Sequence, residues 1–167
     1  MTILGVDPGS RCAGWALVQP AGSRVEYLGH GTIRLDPKAP LSERLAVLFD
    51  ALKELCRDGA PDTVVVESLF QHKNARSALV LGHARGVVLL CAHHSGATLL
   101  ELTPAEIKKA VTGRGRADKH QVQQMVVALL GLRTVPAADA ADALAVAVAG
   151  SVYGRARQMV HGVEVGR

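Results

Sequence analysis

Two short apolar runs that each end in a carboxylate constrain the fold of this chain more than any other feature of its sequence. The first run, residues 3–6, leads to Asp7 and then to the pair Pro8-Gly9. It predicts a buried strand that ends in a turn. The second run, residues 63–66, is β-branched throughout and leads to Glu67. Because the run is apolar on both faces, it predicts a central strand that is covered on both faces.

Two central strands with acids at their ends would bring Asp7 and Glu67 to one edge of a sheet. Ligands bind at that edge in open α/β folds, and a rigid carboxylate there suits a hard cation or a phosphate-handling site. Each acid also has a plainer explanation. An Asp before Pro-Gly is common in turns, and the polar residue after a buried strand is commonly at the surface. The site prediction therefore depends on whether further carboxylates meet these two.

The remaining chain predicts alternating strands and helices. Strands are predicted over 14–18, 25–35 and 98–102, and helices over 41–57, 75–94 and 136–148, with shorter helices that begin after Thr103 and at Asp118. The first three strands, joined by short turns, predict an antiparallel meander.

Local signals predict where several of these elements bend or end. Residues 19–24 predict a hairpin loop, and Gly29 and Gly31 indicate a bulge in the third strand. Asp58-Gly59 predicts the end of the first helix. The helix after Asp118 has a predicted buried stripe of five apolar residues, Val122, Met125, Val126, Leu129 and Leu130.

The length of 167 residues, 49% of them hydrophobic, predicts one domain with a proper core. We place that domain at 1–150 and expect a frayed tail at 151–167. No apolar run approaches the roughly 20 residues that span a bilayer, and turn residues arrive too early for a signal peptide, so the cytoplasm is the expected compartment. Cysteines are odd in number and lack a Cys-x-x-Cys pair, so Cys12, Cys56 and Cys91 are expected to be reduced thiols.

Basic residues cluster between positions 103 and 120, which hold five of the 19 Lys and Arg residues. The overall excess over the 15 acids is mild and fits a polyanionic partner. Two glycines alternate with Arg114 and Arg116. This composition favours a mobile loop that contacts phosphates over an ordinary solvated face.

Phe70 lies in the polar segment after Glu67 and is one of only a few aromatic residues in the chain. Its ring either folds back onto the core or is exposed for stacking on a base. Gly82 and Gly86 are four residues apart in the helix over 75–94. Because each interior glycine costs about 1 kcal/mol relative to alanine, the pair indicates a close backbone contact, either within the monomer or with a second subunit.

Two more carboxylates, Asp139 and Asp142, share one face near the start of the alanine-rich helix. The helix macrodipole favours acids in a first turn. That effect explains Asp139 better than Asp142, which lies further in. The small side chains of this helix would let it lie close to the sheet.

Together these features resemble the RuvC family of Holliday-junction resolvases, within the ribonuclease H-like fold. The resemblance covers about residues 1–150 and lies in ordered motifs, namely Gly5–Ser10, Glu67 with Phe70 and Lys73-Asn74, Leu81–Gly86, Gly115–Lys119 and Ala138–Ala145. It implies an α/β architecture in which helices flank a five-stranded mixed sheet.

The resemblance implies that Asp7, Glu67, Asp139 and Asp142 form the catalytic and metal site. The expected DNA-binding residues, from the resemblance and the basic loop, are Phe70, Lys73, Asn74, Lys108, Arg114, Arg116 and Lys119, with Lys109 as the alternative to Lys108. The resemblance further implies a homodimer acting on four-way junction DNA, beside a RuvA-RuvB type branch-migration helicase complex, in homologous recombination and DNA repair.

Four carboxylates in one pocket repel each other, and a cation would remove that conflict. We expect two Mg²⁺ per site, with Mn²⁺ as a substitute, because Mg²⁺ prefers carboxylate, water and phosphate oxygens. The expected reaction is a hydrolysis that leaves 5′-phosphate and 3′-hydroxyl ends. Asp7 would bridge the ions, and either Asp139 or Asp142 would orient the attacking water.

Three other functions fit part of the pattern. An actin-like ATP-dependent kinase also has a strand-end Asp near glycines, but it needs two such domains. A ribonuclease H-like nuclease acting on structured RNA is a second alternative. A non-catalytic junction-binding protein is the third, although a pure DNA binder gains nothing from acids that face phosphates.

Overall fold

The structure, a computed structural model, describes residues 1–68 and 75–164, and it describes side chains as far as residue 154. Its strands are β1 (Ile3–Asp7), β2 (Cys12–Ala21), β3 (Arg24–Arg34), β4 (Thr63–Glu67) and β5 (Thr98–Leu102). Its helices are α1 (Leu41–Gly59), α2 (Ala75–Ser95), α3 (Pro104–Thr112), α4 (Lys119–Leu130) and α5 (Ala138–Glu164).

The five strands form one mixed sheet in the order β3-β2-β1-β4-β5. The hairpin strands β2 and β3 are antiparallel to their neighbours, whereas β4 and β5 run parallel to β1. The five-stranded α/β architecture is therefore confirmed. Strand β1 pairs with β4 from Ile3 opposite Thr63 to Val6 opposite Val66, so the residues that follow, Asp7 and Glu67, lie side by side at the same end.

Alternate residues of the central strands face two separate hydrophobic cores. Ile3 and Val65 pack under α5 together with apolar residues of α3 and α4. Leu4 and Val64 face the other way, toward α1 and α2. This division confirms that β4 is covered on both faces. Because Asp7 is an even number of residues from Ile3, its side chain lies on the α5 face of the sheet.

Helix α5 rests its backbone directly on β1 and β2, because glycine occupies the points of contact. A Cβ atom at Gly5 would lie 2.5 Å from the backbone nitrogen of Ala147, and one at Gly14 would lie 1.9 Å from the carbonyl oxygen of Asp139. Neither distance is possible for a real side chain. The small residues of α5 complete the contact, and Ala143, Leu144 and Ala147 are fully buried. The expectation that this helix lies close to the sheet is confirmed.

The β2–β3 hairpin is longer than predicted, and the predicted loop over 19–24 is wrong at both ends. Strand β2 continues through Pro20, which pairs with Val25. Pro20 lacks a backbone N–H, but β1 ends its pairing at Val18, so β2 is an edge strand beyond that point and tolerates the loss. The expected bulge is present at Leu28, beside Gly29, where the register shifts between Leu17 and Val18.

Helix α1 continues two residues beyond the predicted range of 41–57. Gly59 is still helical, and Ala60 takes the left-handed conformation with φ of 36°. A Cβ atom at Gly59 would lie 2.9 Å from Cδ1 of Leu17. A side chain at position 59 would therefore have to displace the end of the Leu17 side chain, and the turn itself is made by Ala60.

Helix α4 buries less than its periodicity predicts. Val122 and Val126 are buried, but Met125 and Leu129 are 38% and 45% exposed. The helix touches the rest of the fold along one narrow stripe, because α3 and α5 cover only that side.

Helix α5 continues past residue 150 to Glu164. The division of the chain into a domain at 1–150 and a tail stays a prediction.

Among the described residues, α2 is the one helix long and apolar enough to cross a membrane, with a mean hydropathy of 1.3. The sequence predicted no such segment, because this helix has no unbroken apolar run. Length and composition alone are weak grounds, since a core helix passes the same test. Ala84, Val88, Cys91 and Ala92 of α2 are in fact buried in the core shared with α1 and the sheet.

We expect Gly14→Ala to destabilise the protein by more than about 3 kcal/mol, because the added methyl overlaps the Asp139 carbonyl and forces α5 off the sheet. Urea unfolding followed by circular dichroism would measure the change. The matched control is Gly29→Ala in the same hairpin. Its Cβ would lie 3.7 Å from the Trp15 ring, and it should change stability by less than about 1 kcal/mol. Equal effects of the two substitutions would contradict the seating of α5 described above.

Candidate active site

Asp7 ends β1 at the centre of the sheet, and the turn that follows is held tightly. A Cβ atom at Gly9 would lie 1.9 Å from the carbonyl oxygen of Cys12, so only glycine fits the turn. Arg44 of α1 donates a hydrogen bond from Nη1 to the carbonyl oxygen of Ser10 at 2.7 Å. The Asp7 carboxylate is therefore carried by a strand end that has little freedom to move.

The first two turns of α5 bring Asp139 and Asp142 over this strand end. Asp139 lies directly above Gly14, the residue that pairs with Asp7 across β1 and β2. Asp142 accepts a hydrogen bond from Nζ of Lys119 at 2.6 Å. Lys119 is the first residue of α4, and Asp118 before it caps that helix in a reciprocal arrangement with Gln121. The capped helix start fixes the position of the lysine beside the acids.

The other three acids lie close enough to Asp7 for their charges to shift its pKa. Burial, as the largest cause, and the charges of Asp142, Glu67 and Asp139, in that order, together raise the pKa of Asp7 to about 7. Lys119 acts in the opposite direction and lowers this pKa. The hydrogen bond to Asp142 raises the pKa of Lys119 in turn. One ammonium group does not neutralise four carboxylates, so the site carries an excess of negative charge.

A divalent cation fits the chemistry of this site. All four donors are carboxylates, the ligands that Mg²⁺, Mn²⁺ and Ca²⁺ prefer, and the raised pKa of Asp7 reports charge that a cation would neutralise. Among the described side chains, which are those of 1–68 and 75–154, no group of three or more Asp, Glu, His and Cys residues is arranged to hold a metal ion. The side chains therefore converge without forming a closed set of ligands, and Asp142 is turned to Lys119.

A groove of about 340 Å³ opens beside the acids on the side of α3 and α4. Its polar lining consists of Glu67, Asp142, Lys108 and Lys119, over a floor of apolar residues. Lys108 lines this groove, whereas Lys109 is exposed on α3 and is not part of it. The structure therefore favours Lys108 over Lys109 as the basic residue of the site.

The basic loop is better anchored than its composition predicts. Gly113 ends α3 in the left-handed conformation with φ of 74°, and the backbone N–H of Arg114 donates to Oγ1 of Thr112. Ala117 is buried at the other end of the loop. The two ends of this loop are therefore anchored, although its composition alone predicts a mobile loop. The side chains of Arg114 and Arg116 remain exposed.

The other predicted residues fall into two groups. Phe70, Lys73 and Asn74 lie outside the described residues. Gly82 and Gly86 lie on α2, on the opposite face of the sheet from the acids. A Cβ atom at either glycine would meet nothing within 4 Å among the described residues. Close packing within the monomer therefore does not explain this glycine pair.

Sequence reasoning missed the residues on the β2–β3 side of the acids. Cys12 lies beside Asp139, where burial first, and then the hydrogen bond and charge of Asp139, raise the pKa of its thiol. Arg34 is the cross-strand partner of Cys12. A single cysteine or arginine in an amphipathic strand carries no sequence signal for a site. The register of the hairpin with β1 was needed to place them here.

The family model described as crossover junction endodeoxyribonuclease RuvC matches residues 3–150. The chain belongs to the RuvC family. A RuvC relative from Halorhodospira halophila is 51% identical over 146 residues, which are 87% of each chain. One from Trichlorobacter lovleyi is 45% identical over 148 residues, or 89% of this chain and 83% of the relative. Both carry the name crossover junction endodeoxyribonuclease RuvC.

Solved RuvC structures have the same fold. The structure of Thermus thermophilus RuvC in complex with Holliday junction substrate superposes with a TM-score of 0.88 at 31% identity, over 93% of this chain and 95% of the other. The structure of that RuvC alone gives a TM-score of 0.85. The ribonuclease H-like resolvase fold that the sequence motifs implied is thus confirmed.

The raised pKa of Asp7 predicts how the metal-free protein responds to pH. The unfolded carboxyl titrates near 3.8 and the folded one near 7, so the folded state holds the proton more tightly between these values. The stability of the metal-free protein should therefore fall as pH rises from about 4 to about 7. Asp7→Asn removes this titration. In EDTA at pH 8, we expect it to stabilise the protein by at least about 1 kcal/mol, or 2–4 °C in Tm, with little difference at pH 4.

Asp50→Asn on the exposed face of α1 is the matched control. This variant should follow the wild type at both pH values in differential scanning calorimetry. A stabilisation by Asp7→Asn that is the same at pH 4 and pH 8 would show that charge at Asp7 is not its cause.

Proposed function

We propose that this chain is a Holliday junction resolvase that nicks two opposing strands of a four-way DNA junction by metal-dependent hydrolysis. The convergence of four carboxylates at the end of β1, in a chain that belongs to the RuvC family, carries the proposal. The relative from Thermus thermophilus has been solved with a Holliday junction substrate. Resolution of such junctions places the protein in homologous recombination and DNA repair.

Asp7, Glu67, Asp139 and Asp142 would hold the cations, which we propose to be two Mg²⁺, replaceable by Mn²⁺. When bound, such a pair supplies Lewis-acid activation of the attacking water and of the leaving 3′ oxygen. Asp7 is the acid whose pKa all the others influence, so it would be the central residue among those that hold the cations. Asp139 or Asp142 would orient the attacking water. The products would carry 5′-phosphate and 3′-hydroxyl ends.

Lys108 and Lys119 would hold the DNA backbone beside the scissile phosphate. Both line the groove that contains Glu67 and Asp142. The ammonium group of Lys119 lies 2.6 Å from Asp142, so it can reach a phosphate bound at the acids with a small change of rotamer. Arg114 and Arg116 on the neighbouring exposed loop would extend the contact. Phe70, Lys73 and Asn74 are proposed to meet the junction on the grounds of the family motifs alone.

We propose that the protein acts as a homodimer formed through α2. A shallow groove of about 780 Å³ runs along the exposed face of this helix, and its lining consists of Ala75, Ala78, Leu79, Gly82, His83 and Gly86. Leu79 is 65% exposed. Small residues beside an exposed leucine suit close packing of two identical helices, and a symmetric substrate favours a two-fold assembly with one site for each strand.

The remaining parts of the proposal rest on family membership. The dimer would act in the cytoplasm as a soluble enzyme, on junctions presented by a RuvA-RuvB type branch-migration helicase complex. The catalytic unit would comprise residues 1–150, which are nearly the residues matched by the family model.

The central test is cleavage of a synthetic four-way junction in Mg²⁺. We expect paired, symmetric nicks from the wild type and none in EDTA, with Mn²⁺ restoring cleavage. Asp7→Asn should lower the cleavage rate at least about 100-fold, because loss of even an outer-shell group of a metal site costs up to about 100-fold in activity. The variant should still bind the junction. Asp50→Asn, an exposed acid on α1, should cut normally. Cleavage of a folded RNA in preference to the junction would contradict the proposal.

The dimer is tested with Gly86→Leu. The site is open in the monomer, so the variant should fold with unchanged thermal stability of the monomer. We expect it to sediment as a monomer and to lose the pairing of nicks on opposing strands. Ala46→Leu adds similar bulk at an exposed position of α1 and should remain dimeric. A Gly86→Leu protein that still sediments as a dimer and cuts both strands would rule out this face.

A further inference from the structure

A second groove, of about 630 Å³, borders the acidic site on the side of the β2–β3 hairpin. Asp139 forms one end of it, and the rest of its lining comes from Arg11, Cys12, Thr32, Arg34, Leu35, Asp36, Pro37 and Ala137. The groove with the lysines contains Asp142 instead. The two acids of α5 therefore divide between two grooves, one on either side of the helix start.

The strand order places these grooves on opposite sides of Asp7. Strand β1 has β2 and β3 on one side, and β4 and β5 on the other. Arg34 ends β3 two strand spacings from β1, or about 10 Å away. Glu67 and the lysine groove lie in the other direction. A DNA strand that enters the acidic site along the lysine groove and continues in the same direction would leave it on the β2–β3 side.

The two arginines of the second groove are available to bind such a strand. Arg11 and Arg34 are exposed, and the structure gives neither guanidinium an ion-pair partner among the described residues. Their backbones are fixed, because the N–H of Leu35 donates to the carbonyl oxygen of Arg11 at 2.9 Å. Two acids also line the groove. Asp36 accepts from the backbone N–H of Lys38, and Asp139 belongs to the proposed cation site.

We infer that Arg11 and Arg34 bind backbone phosphates of the cleaved strand, on the side of the scissile phosphate opposite to Lys108 and Lys119. This inference rests on the proposed function and extends it to a part of the surface that the sequence motifs do not mark. A guanidinium presents a planar set of donors that matches a phosphate. At about 10 Å from β1 and about 3.4 Å of rise per nucleotide, Arg34 would reach a phosphate roughly three nucleotides from the cut.

The test is the salt dependence of junction binding by the double variant Arg11→Gln/Arg34→Gln, measured in Ca²⁺ to prevent cleavage. Each lost phosphate contact should reduce the slope of log K against log salt by about 0.9. We therefore expect the slope to become shallower by about 1 to 2 and affinity at low salt to fall about tenfold or more. Arg34→Lys, made with Arg11 unchanged, keeps the positive charge at position 34. Its slope should therefore be close to that of the wild type.

Arg24→Gln is the charge-matched control, because Arg24 lies at the other end of β3 and its loss should leave the slope unchanged. Thermal melting should show all variants equally stable. An unchanged slope in the double variant, or an equal change in Arg24→Gln, would overturn the inference. These slopes are measured from binding alone, so they test the inference independently of cleavage. The proposed function fails instead if the wild type does not nick junctions in Mg²⁺.

Discussion

The contact between the backbone of α5 and the first two strands is the constraint on which the rest of this structure depends. Gly5 and Gly14 remove the side chains that would hold the helix away, and the Asp139 carbonyl lies where a Cβ of residue 14 would be. A helix separated by ordinary side chains would carry its acids several ångströms above Asp7. The two glycines therefore decide whether the carboxylates form a site or remain isolated surface charges.

The same closeness makes the acids repel. Burial and three neighbouring carboxylates raise the pKa of Asp7 to about 7, and Lys119 offsets only part of that charge. The surrounding structure compensates through rigid anchors, among them the bond from Arg44 to the Ser10 carbonyl and the reciprocal cap of Asp118 and Gln121 on α4. The raised pKa of Asp7 therefore marks the place where a bound cation would offset the repulsion between the acids.

Much of this fold could be predicted from local patterns, and the exceptions have physical causes. Strands that end in Asp7 and Glu67 are short, apolar and bounded by turn residues, so their bounds were predicted well. The packing of Gly59 could not be predicted in this way, because the side chain close to it belongs to Leu17, a residue distant in sequence. Periodicity overstated the burial of Met125 for a similar reason, since it does not reveal how much of a helix its neighbours cover. Arg34 lies beside Cys12 because of the pairing register of β2 and β3. Composition does not reveal that register.

The acids belong to elements from the two ends of the domain, with Asp7 in the first strand and Asp142 in the last helix. No fragment of the polypeptide that stops short of α5 contains the complete set. During synthesis the N-terminal strands emerge from the ribosome long before that helix, so a nascent or prematurely terminated chain would present an incomplete centre. Junction cleavage would thus have to wait until α5 has been synthesised and has packed on the sheet.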